Sequence, residues 1–327
     1  MSTKALSPET SLDLYRTLFL CRRSEELIIR YYPENEMRTP MHMSMGQEAI
    51  SVGVCAALGD ASQVLSSYRS HASFLAKTRN PDLFFAELYG KASGTAAGKS
   101  GSMHLTIPEQ GFLGASGIVG SGIPIALGAG FANKKQRTGK LVAVFFGDGA
   151  IDEGVFWESL NVACLMKIPV LLVCEDNGLA VHTSTGQRRG FGSITEIVRN
   201  FKTVVKDLYT TDVESIYSAT SEAILQMQEM DSPAFMNARC CRYLEHVGTG
   251  TDFDQGYRQK KEFEEWFRKD PVRLQRDRLL QLGFSEKEIA SLERETDAKI
   301  EASIAKAKAA PFPLPEELYR GVYYEND

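Results

Sequence analysis

The feature that most constrains the fold is a pair of uninterrupted apolar runs, separated by a segment of helical pattern. The runs are KLVAVFF at residues 140–146 and IPVLLVC at 168–174, and a helix is predicted between them at 153–166. Strands buried on both faces carry such runs, because helices cover a parallel sheet from both sides. Later segments, including DVESIYSATSEAILQMQEM and PAFMNARCCRY, continue the alternation of helix and strand. We therefore predict an α/β fold with a doubly wound, mainly parallel sheet flanked by helices.

Both ends of the chain have helical patterns. Apolar residues recur at helical spacing over 11–32, and another helix is expected at 46–58. No linker or internal repeat divides the 327 residues. We therefore expect 1–327 to form a single domain, with residues 1–60 as its N-terminal helical portion and 259–327 as a helical C-terminal extension.

Composition excludes several classes of protein. The net charge of -5 is spread over both signs, which argues against a partner that is a nucleic acid or a membrane surface. No apolar stretch approaches the roughly 20 residues of a membrane span, and the first residues do not resemble a signal peptide. The six cysteines form no CxxC pair, which favours free thiols in a reducing compartment. We therefore predict a cytoplasmic location.

An aspartate and an asparagine follow the two apolar runs. Asp148 lies between two glycines after the first run, and Asn177 ends the sequence Glu-Asp-Asn after the second. Either residue alone is more typical of turn chemistry, Asp148 as a helix cap and Asn177 in a left-handed turn. Ligands of doubly wound sheets bind at the carboxyl ends of strands, however, and oxygen atoms there suit Mg2+ that also holds phosphate. Their joint spacing favours such a site.

Residues 90–122 are rich in glycine, in the sequence GKASGTAAGKSGSMHLTIPEQGFLGASGIVGSG. Glycine accepts backbone conformations and close contacts that other residues do not. The segment therefore predicts tight turns and a close approach of the backbone to another group.

Several ordered motifs resemble those of one enzyme family. They are Gly-Asp-Gly with its distant Asn, PMHMSMGQEA, SSYRSHA, GKSGSMH, GIVGSGIPIALGAG and CRYLEHVGTGTDFDQGYR. Over nearly its whole length the chain resembles the alpha subunit of the first component of 2-oxo-acid dehydrogenase complexes. That family includes the pyruvate, branched-chain 2-oxo-acid and acetoin dehydrogenases. The resemblance implies the diphosphate-side domain of the thiamine-diphosphate-binding fold, with thiamine diphosphate and Mg2+ as cofactors.

The resemblance assigns roles by matched position. The Mg2+ ligands would be the Asp148 carboxylate, the Asn177 side chain and the Leu179 backbone carbonyl. The residues expected against the cofactor are Tyr68, Arg69, Gly149 and Ala150 at the diphosphate, Gly117 and Val119 at the aminopyrimidine, and Val181 as the apolar wedge that bends the cofactor.

Five histidines enter this comparison. His42 and His246 match the family's active-site histidines, with His246 also expected to contact the cofactor. Near pH 7 an imidazole can donate to developing charge or transfer a proton. His71 and His104 fall in matched motifs and are expected to have positioning roles, and His182, beside the wedge position, is a candidate for facing the substrate.

The resemblance also implies partners. In this family a separate beta subunit supplies the glutamate that activates the cofactor, so we expect an α2β2 heterotetramer and no activity from this chain alone. The main expectation is decarboxylation of a 2-oxo acid, or cleavage of acetoin, with transfer of the acyl group to a lipoyl group on an acyltransferase second component. The alternative is a carboligase or transketolase-like enzyme, which passes the unit to an aldehyde or ketone such as a sugar.

Two alternatives from other classes stay open at this stage. An NAD-dependent oxidoreductase could use GASGIVGSG as a phosphate loop, although PEQGFLGA before it is a poor strand. A non-catalytic paralogue is disfavoured by the retention of the matched site residues. The chain departs from the family in Asp176, where Asn is usual, in Lys99 and Ser100, and in the absence of serines from HVGTGTDFDQGYR, so kinase regulation at those positions is not expected.

Overall fold

The computed structural model describes residues 6–320. Six parallel strands form the main sheet in the order β2-β1-β3-β4-β8-β7, and β5 and β6 form a small antiparallel hairpin. The strands are β1 Gln63–Ser67, β2 Phe112–Ser116, β3 Val142–Gly147, β4 Val170–Asp176, β5 Leu179–Ala180, β6 Thr183–Ser184, β7 Val204–Leu208 and β8 Ala234–Arg239. The predicted doubly wound parallel sheet is confirmed.

Helices cover both faces of this sheet. They are α1 Pro8–Tyr31, α2 Glu48–Leu58, α3 His71–Thr78, α4 Pro81–Leu88, α5 Gly122–Gln136, α6 Gly154–Met166, α7 Thr185–Arg188, α8 Ile194–Val198, α9 Val213–Met230, α10 Lys260–Phe267, α11 Pro271–Gln281 and α12 Glu286–Ala309. The predicted helices at 11–32, 46–58 and 153–166 correspond to α1, α2 and α6, with ends shifted by up to three residues.

Strands β3 and β4 are apolar over residues 142–146 and 170–174, because both of their faces are buried. Along β3, Ala143 and Phe145 pack into the core on one face, together with α1, α2 and α12. Val144 and Phe146 pack into a second core on the other face, with α5 and α6. Successive side chains of a strand point to opposite faces, so an unbroken apolar run fills both cores.

Two details differ from the sequence predictions. The segment judged a poor strand forms β2, at the edge of the sheet, because pairing with β1 and burial of Phe112 stabilise it. The C-terminal extension is not helical throughout: α12 ends at Ala309, an irregular segment follows, and residues 315–319 form a 3-10 turn. Residues 1–5 and 321–327 of the two helical end portions lie outside the described part of the chain.

The ends of the chain pack against the same core. Leu18 of α1 and Ile300 of α12 belong to one cluster with the sheet strands. Within residues 6–320, no helix combines the length and the apolar character that crossing a membrane requires. All six cysteines are free thiols, and five of them are buried.

Candidate active site

The register of the sheet brings Asp148 and Asn177 to one edge. Gly147 of β3 pairs with Glu175 of β4, so the turns that follow these two strands begin side by side. A cavity of about 220 Å³ opens at this edge. The predicted site residues that line it are Tyr68, Arg69, Val119, Gly149, Ala150, Asn177, Leu179, Val181 and His246.

Asp148 lies beneath the wall of this cavity and is fully buried. Its Oδ2 accepts hydrogen bonds from Arg188 and, at 3.4 Å, from the Thr185 hydroxyl. Its Oδ1 has no hydrogen-bond partner among the described residues. Burial raises the pKa of the Asp148 carboxyl, nearby Asp176 adds to the rise, and Arg188 opposes it. An unpartnered buried carboxylate oxygen is costly, so this atom fits a metal ligand.

The turn after β4 holds the other two predicted metal ligands. Asn177 accepts a hydrogen bond from the Leu179 amide at 3.1 Å and donates one to Gln47 at 3.0 Å. The Thr185 hydroxyl contacts both Asp148 and the Gly178 carbonyl, at 3.4 and 3.1 Å, so the two turns adjoin. No group of three His, Cys, Asp or Glu side chains within residues 6–320 could hold a metal ion. A metal ion at this edge would therefore need ligands besides these side chains, such as the oxygens of Asn177 and Leu179 and groups from outside the chain.

The backbone is strained at Val181, the residue predicted to be the apolar wedge. Val181 has a φ of 55°, which is rare for a β-branched residue, and it lies at the tip of the β5–β6 hairpin. The hairpin packs on the turn after β3, where a Cβ added to Gly149 would lie 2.9 Å from the Cβ of Ala180. Strain of this kind, roughly 1–3 kcal/mol, persists where the surrounding structure fixes it, and such sites are often functional.

Arg69 joins two loops that are far apart in sequence. Its Nη1 donates to the Met43 carbonyl at 2.7 Å and its Nη2 to the His246 carbonyl at 3.0 Å. The same loops pair through a backbone bridge between His42 and Gly248. Burial and the nearby Arg242 lower the pKa of Arg69 to about 10, so it stays charged at neutral pH. Arg69 therefore places a positive charge at the cavity wall.

His42 and His246, the two histidines expected at the active site, lie close together. Their ring centroids are 5.3 Å apart, and Tyr68 lies 4.5 Å from His42 and 5.7 Å from His246. His42 contacts this cluster without lining the cavity, and its Nδ1 has no partner in the described structure. Burial lowers the pKa of His42 to about 3 and that of His246 to about 4, and the positive charge of Arg69 is the second cause in both cases. Both imidazoles are therefore neutral at pH 7.

Replacing His42 with glutamine should change how stability depends on pH. The pKa of His42 is lowered from 6.5 to about 3 in the folded chain, so its contribution is full above pH 6.5 and falls as pH drops towards 3. The slope is at most about 1.4 kcal/mol per pH unit. Urea denaturation at pH 7.5, 6.5 and 5.5 should show a smaller loss for His42→Gln than for the wild type. Burial raises the pKa of Glu175 to about 8, so this residue lowers the stability as pH rises, but it does so equally in both proteins and its effect cancels. Parallel pH profiles of the two proteins would contradict the prediction.

The other matched histidines lie at different distances from the cavity. His71 is buried and contacts Glu25 at 2.9 Å and Ser102 at 2.6 Å, away from the cavity wall. His104 lies beside Gly117, where an added Cβ would be 3.3 Å from its Nε2. Neither His104 nor Gly117 lines the cavity.

His182 has an aromatic partner on the loop that follows His246. Its ring lies 4.4 Å from that of Tyr257, and His182 is not among the residues that line the cavity. Its predicted contact with substrate stays a prediction.

Sequence reasoning missed several charged residues at the site. Arg242 lines the cavity and is almost fully buried, with its Nη2 3.2 Å from Asp252. Asp252 also forms an ion pair with Arg258 at 3.2 Å and accepts a hydrogen bond from Tyr257, and these contacts order the segment after His246. The only signal in the sequence was the motif CRYLEHVGTGTDFDQGYR, in which buried and exposed charges look alike.

Comparison with known proteins bears on this site. A family model described as "Dehydrogenase E1 component" matches residues 16–316. The chain belongs to the dehydrogenase E1 component family. It is 33% identical to the alpha subunit of acetoin:2,6-dichlorophenolindophenol oxidoreductase of Cupriavidus necator, over 97% of this chain and 95% of that protein. It is 32% identical to the pyruvate dehydrogenase E1 component subunit alpha of Zymomonas mobilis, over 96% of this chain and 88% of that protein.

Membership of this E1 family confirms the resemblance and implies thiamine diphosphate as the cofactor. The residues present fit that group. Arg69 offers a charge for phosphate at the cavity wall, and position 149 has no room for a side chain. The NAD-dependent alternative is therefore not supported, although β2 does precede its glycine-rich loop.

Proposed function

We propose that this chain is the alpha subunit of a thiamine-diphosphate-dependent enzyme that decarboxylates a 2-oxo acid, or cleaves acetoin. The acyl group then passes to a lipoyl group on an acyltransferase second component. The observation that carries the proposal is the buried Asp148, whose Oδ1 lacks a partner in the described structure, beside Asn177 at the ends of β3 and β4. Thiamine diphosphate, when bound, supplies the electron sink for cleaving the bond next to the carbonyl group.

The chain's own residues bind and orient. Asp148, Asn177 and the Leu179 carbonyl would hold Mg2+, and Mg2+ with Arg69 would neutralise the diphosphate. Gly149 and Ala150 would lie against the diphosphate, because their backbone amides begin the 3-10 turn after β3.

The thiamine end of the cofactor would meet a different set of groups. Gly117 and Val119 would contact the aminopyrimidine, and Val181 would support the bent cofactor. His42 and His246, neutral at pH 7, would hydrogen-bond the substrate or hold a proton at an imidazole nitrogen.

A beta subunit is part of the proposal. The relatives carry "subunit alpha" in their names, which supports a second chain. Ile118 and Val119, next to the cavity, are 72% and 46% exposed, and a second chain that closes over the cavity would bury them. We infer an α2β2 heterotetramer in which the beta subunit supplies the activating glutamate. A single domain and a cytoplasmic location complete the proposal; the core shared by α1 and α12 and the free thiols support them.

Reconstitution tests this function. The full chain, produced together with its beta subunit, should release CO2 from pyruvate or a branched 2-oxo acid, or consume acetoin, when thiamine diphosphate and Mg2+ are present. The chain without its partner should retain less than about 1% of that rate, because electrostatic and acid–base contributions of 10²-fold or more come from the missing side chains. Full activity of the single chain would contradict the two-chain proposal. Transfer to aldehydes but not to lipoamide would instead support the carboligase alternative.

A further inference from the structure

Two consecutive arginines fold back onto the turn that carries Asp148. Arg188 ends α7 and donates to the carboxylates of both Asp148 and Asp152. Arg189 donates to the Asp148 backbone carbonyl at 2.7 Å and to Asp152 at 3.2 Å. Only 11% of the Arg188 side chain and 4% of the Arg189 side chain are exposed. The two arginine side chains are largely buried and pair with two carboxylates, and no role in the proposed function uses these arginines.

The two carboxylate oxygens of Asp148 differ in their hydrogen-bond partners. Oδ2 accepts from Arg188 and from the Thr185 hydroxyl. Oδ1 is buried and has no partner within residues 6–320. The contacts therefore fix the plane of the carboxylate and leave one oxygen for a ligand.

Arg188 also connects the two halves of the candidate metal site. Its Nε donates to the Thr183 carbonyl at 3.2 Å, in the strand β6 that pairs with β5. Leu179 and Val181 belong to that hairpin, whereas Asp148 follows β3. One guanidinium group thus holds the Asp148 turn against the hairpin that carries the Leu179 carbonyl.

We propose that Arg188 is a positioning residue for the metal ligand Asp148: it holds Oδ2 and the β5–β6 hairpin so that Oδ1 and the Leu179 carbonyl are ready for Mg2+. The inference rests on the proposed Mg2+ site. Partners that orient the ligands of a metal typically contribute 10- to 100-fold to its affinity.

Electrostatic repulsion between Arg188 and Mg2+ would act in the opposite direction. A guanidinium cation near Mg2+ repels it, so a purely electrostatic view predicts that losing Arg188 tightens metal binding. Here the charge of Arg188 is already paired with Asp148 and Asp152, which reduces that repulsion. The planar fork also bonds two groups at fixed angles, which a lysine cannot do. Orientation therefore outweighs repulsion.

The test is a metal titration of the enzyme assembled from both chains. At fixed thiamine diphosphate, the Mg2+ concentration for half-maximal cofactor binding is read from tryptophan fluorescence. Direct Mn2+ binding, followed by electron paramagnetic resonance, gives a readout independent of activity. Arg188→Gln should raise both half-saturation concentrations 10- to 100-fold, and Arg188→Lys should give an intermediate value. Arg199→Gln, the same change at an exposed position outside the described contacts of Asp148, should change them less than about 2-fold.

The outcomes separate the possible failures. Unchanged or tighter metal binding by Arg188→Gln, with normal binding by the wild type, would overturn the inference and identify Arg188 as a mere counter-charge. Absence of Mg2+-dependent cofactor binding in the wild type would overturn the proposed function and this inference together. If Arg188→Gln does not fold, as judged by its thermal unfolding, Arg188→Lys decides the question, and wild-type affinity in that variant would overturn the inference.

Discussion

Replacing Asp148 with alanine should abolish Mg2+-dependent binding of thiamine diphosphate. Asp148 is fully buried, its Oδ1 lacks a partner among residues 6–320, and it follows the strand next to the one that precedes Asn177. Without it, the site would keep only the neutral oxygens of Asn177 and Leu179, which bind a hard divalent cation poorly. Because loss of a partner that only orients a ligand already costs 10- to 100-fold, loss of the ligand itself should cost more than about 100-fold. Calorimetric titration of the assembled enzyme with the cofactor, with and without Mg2+, measures this.

Two further variants separate the metal from the charge cluster. Asp148→Asn keeps the size of the side chain but removes the charge, and it should lose nearly as much affinity as the alanine variant. Asp152→Asn removes a neighbouring carboxylate that also bonds both arginines, and its effect should be much smaller. Equal losses for the changes at 148 and 152 would mean that the arginine cluster, and not a metal ligand, determines cofactor binding. Cofactor binding unchanged in Asp148→Ala would contradict the metal assignment.

The fold was largely predictable because burial leaves a strong signal in the sequence. Residues 142–146 of β3 and 170–174 of β4 are all apolar, since each strand packs on two cores. The edge strand β2 lacked that signal, because only its first residue, Phe112, is fully buried and the rest is partly exposed. Its conformation depends on pairing with β1, and local composition does not predict pairing between segments that are distant in sequence.

The candidate site was predictable for a different reason. The residues assigned from the resemblance mostly line one cavity, since the order of motifs reflects a common architecture. Physical detail was not predictable in the same way. Nothing in the amino-acid sequence distinguishes Arg188, whose side chain is largely buried against two carboxylates, from an exposed arginine such as Arg199. The protonation of His42 likewise depends on burial and on the cation of Arg69, contacts that only the folded chain creates.

The glycine-rich segment is the clearest example of contacts that the sequence alone does not identify. The sequence predicted that residues 90–122 approach another group closely, and the structure identifies a group of the chain itself. Glu87 of α4 is fully buried, and its carboxylate accepts backbone hydrogen bonds from four residues of the following loop. The donors are the amides of Ala96 and Gly98, at 2.8 and 3.1 Å, and of Ser100 and Gly101, at 2.8 and 2.9 Å.

Glu87→Ala should therefore lower the free energy of unfolding by roughly 3–5 kcal/mol, because four amide donors lose a charged acceptor at once. Glu87→Gln should cost nearly as much, since its amide group would turn donors towards two of those amides. Equilibrium urea denaturation measures both. Glu229→Ala, the same change at an exposed position of α9, serves as the control and should stay within about 0.5 kcal/mol of the wild type.

A glycine in the same loop gives an independent test of this arrangement. A Cβ added at Gly94 would lie 2.4 Å from Oε2 of Glu87 and 2.8 Å from its Cα, so Gly94→Ala must displace the carboxylate or the loop. If the carboxylate organises the loop, the two substitutions act on one set of hydrogen bonds, and Gly94→Ala should cost less in the Glu87→Ala background than in the wild type, because only the clash with the backbone of residue 87 remains in the double variant. Strictly additive costs would mean that the loop holds its shape without Glu87. Because Ser102 at the end of this loop contacts His71 at 2.6 Å, a loop displaced by these substitutions should also disturb the position of His71.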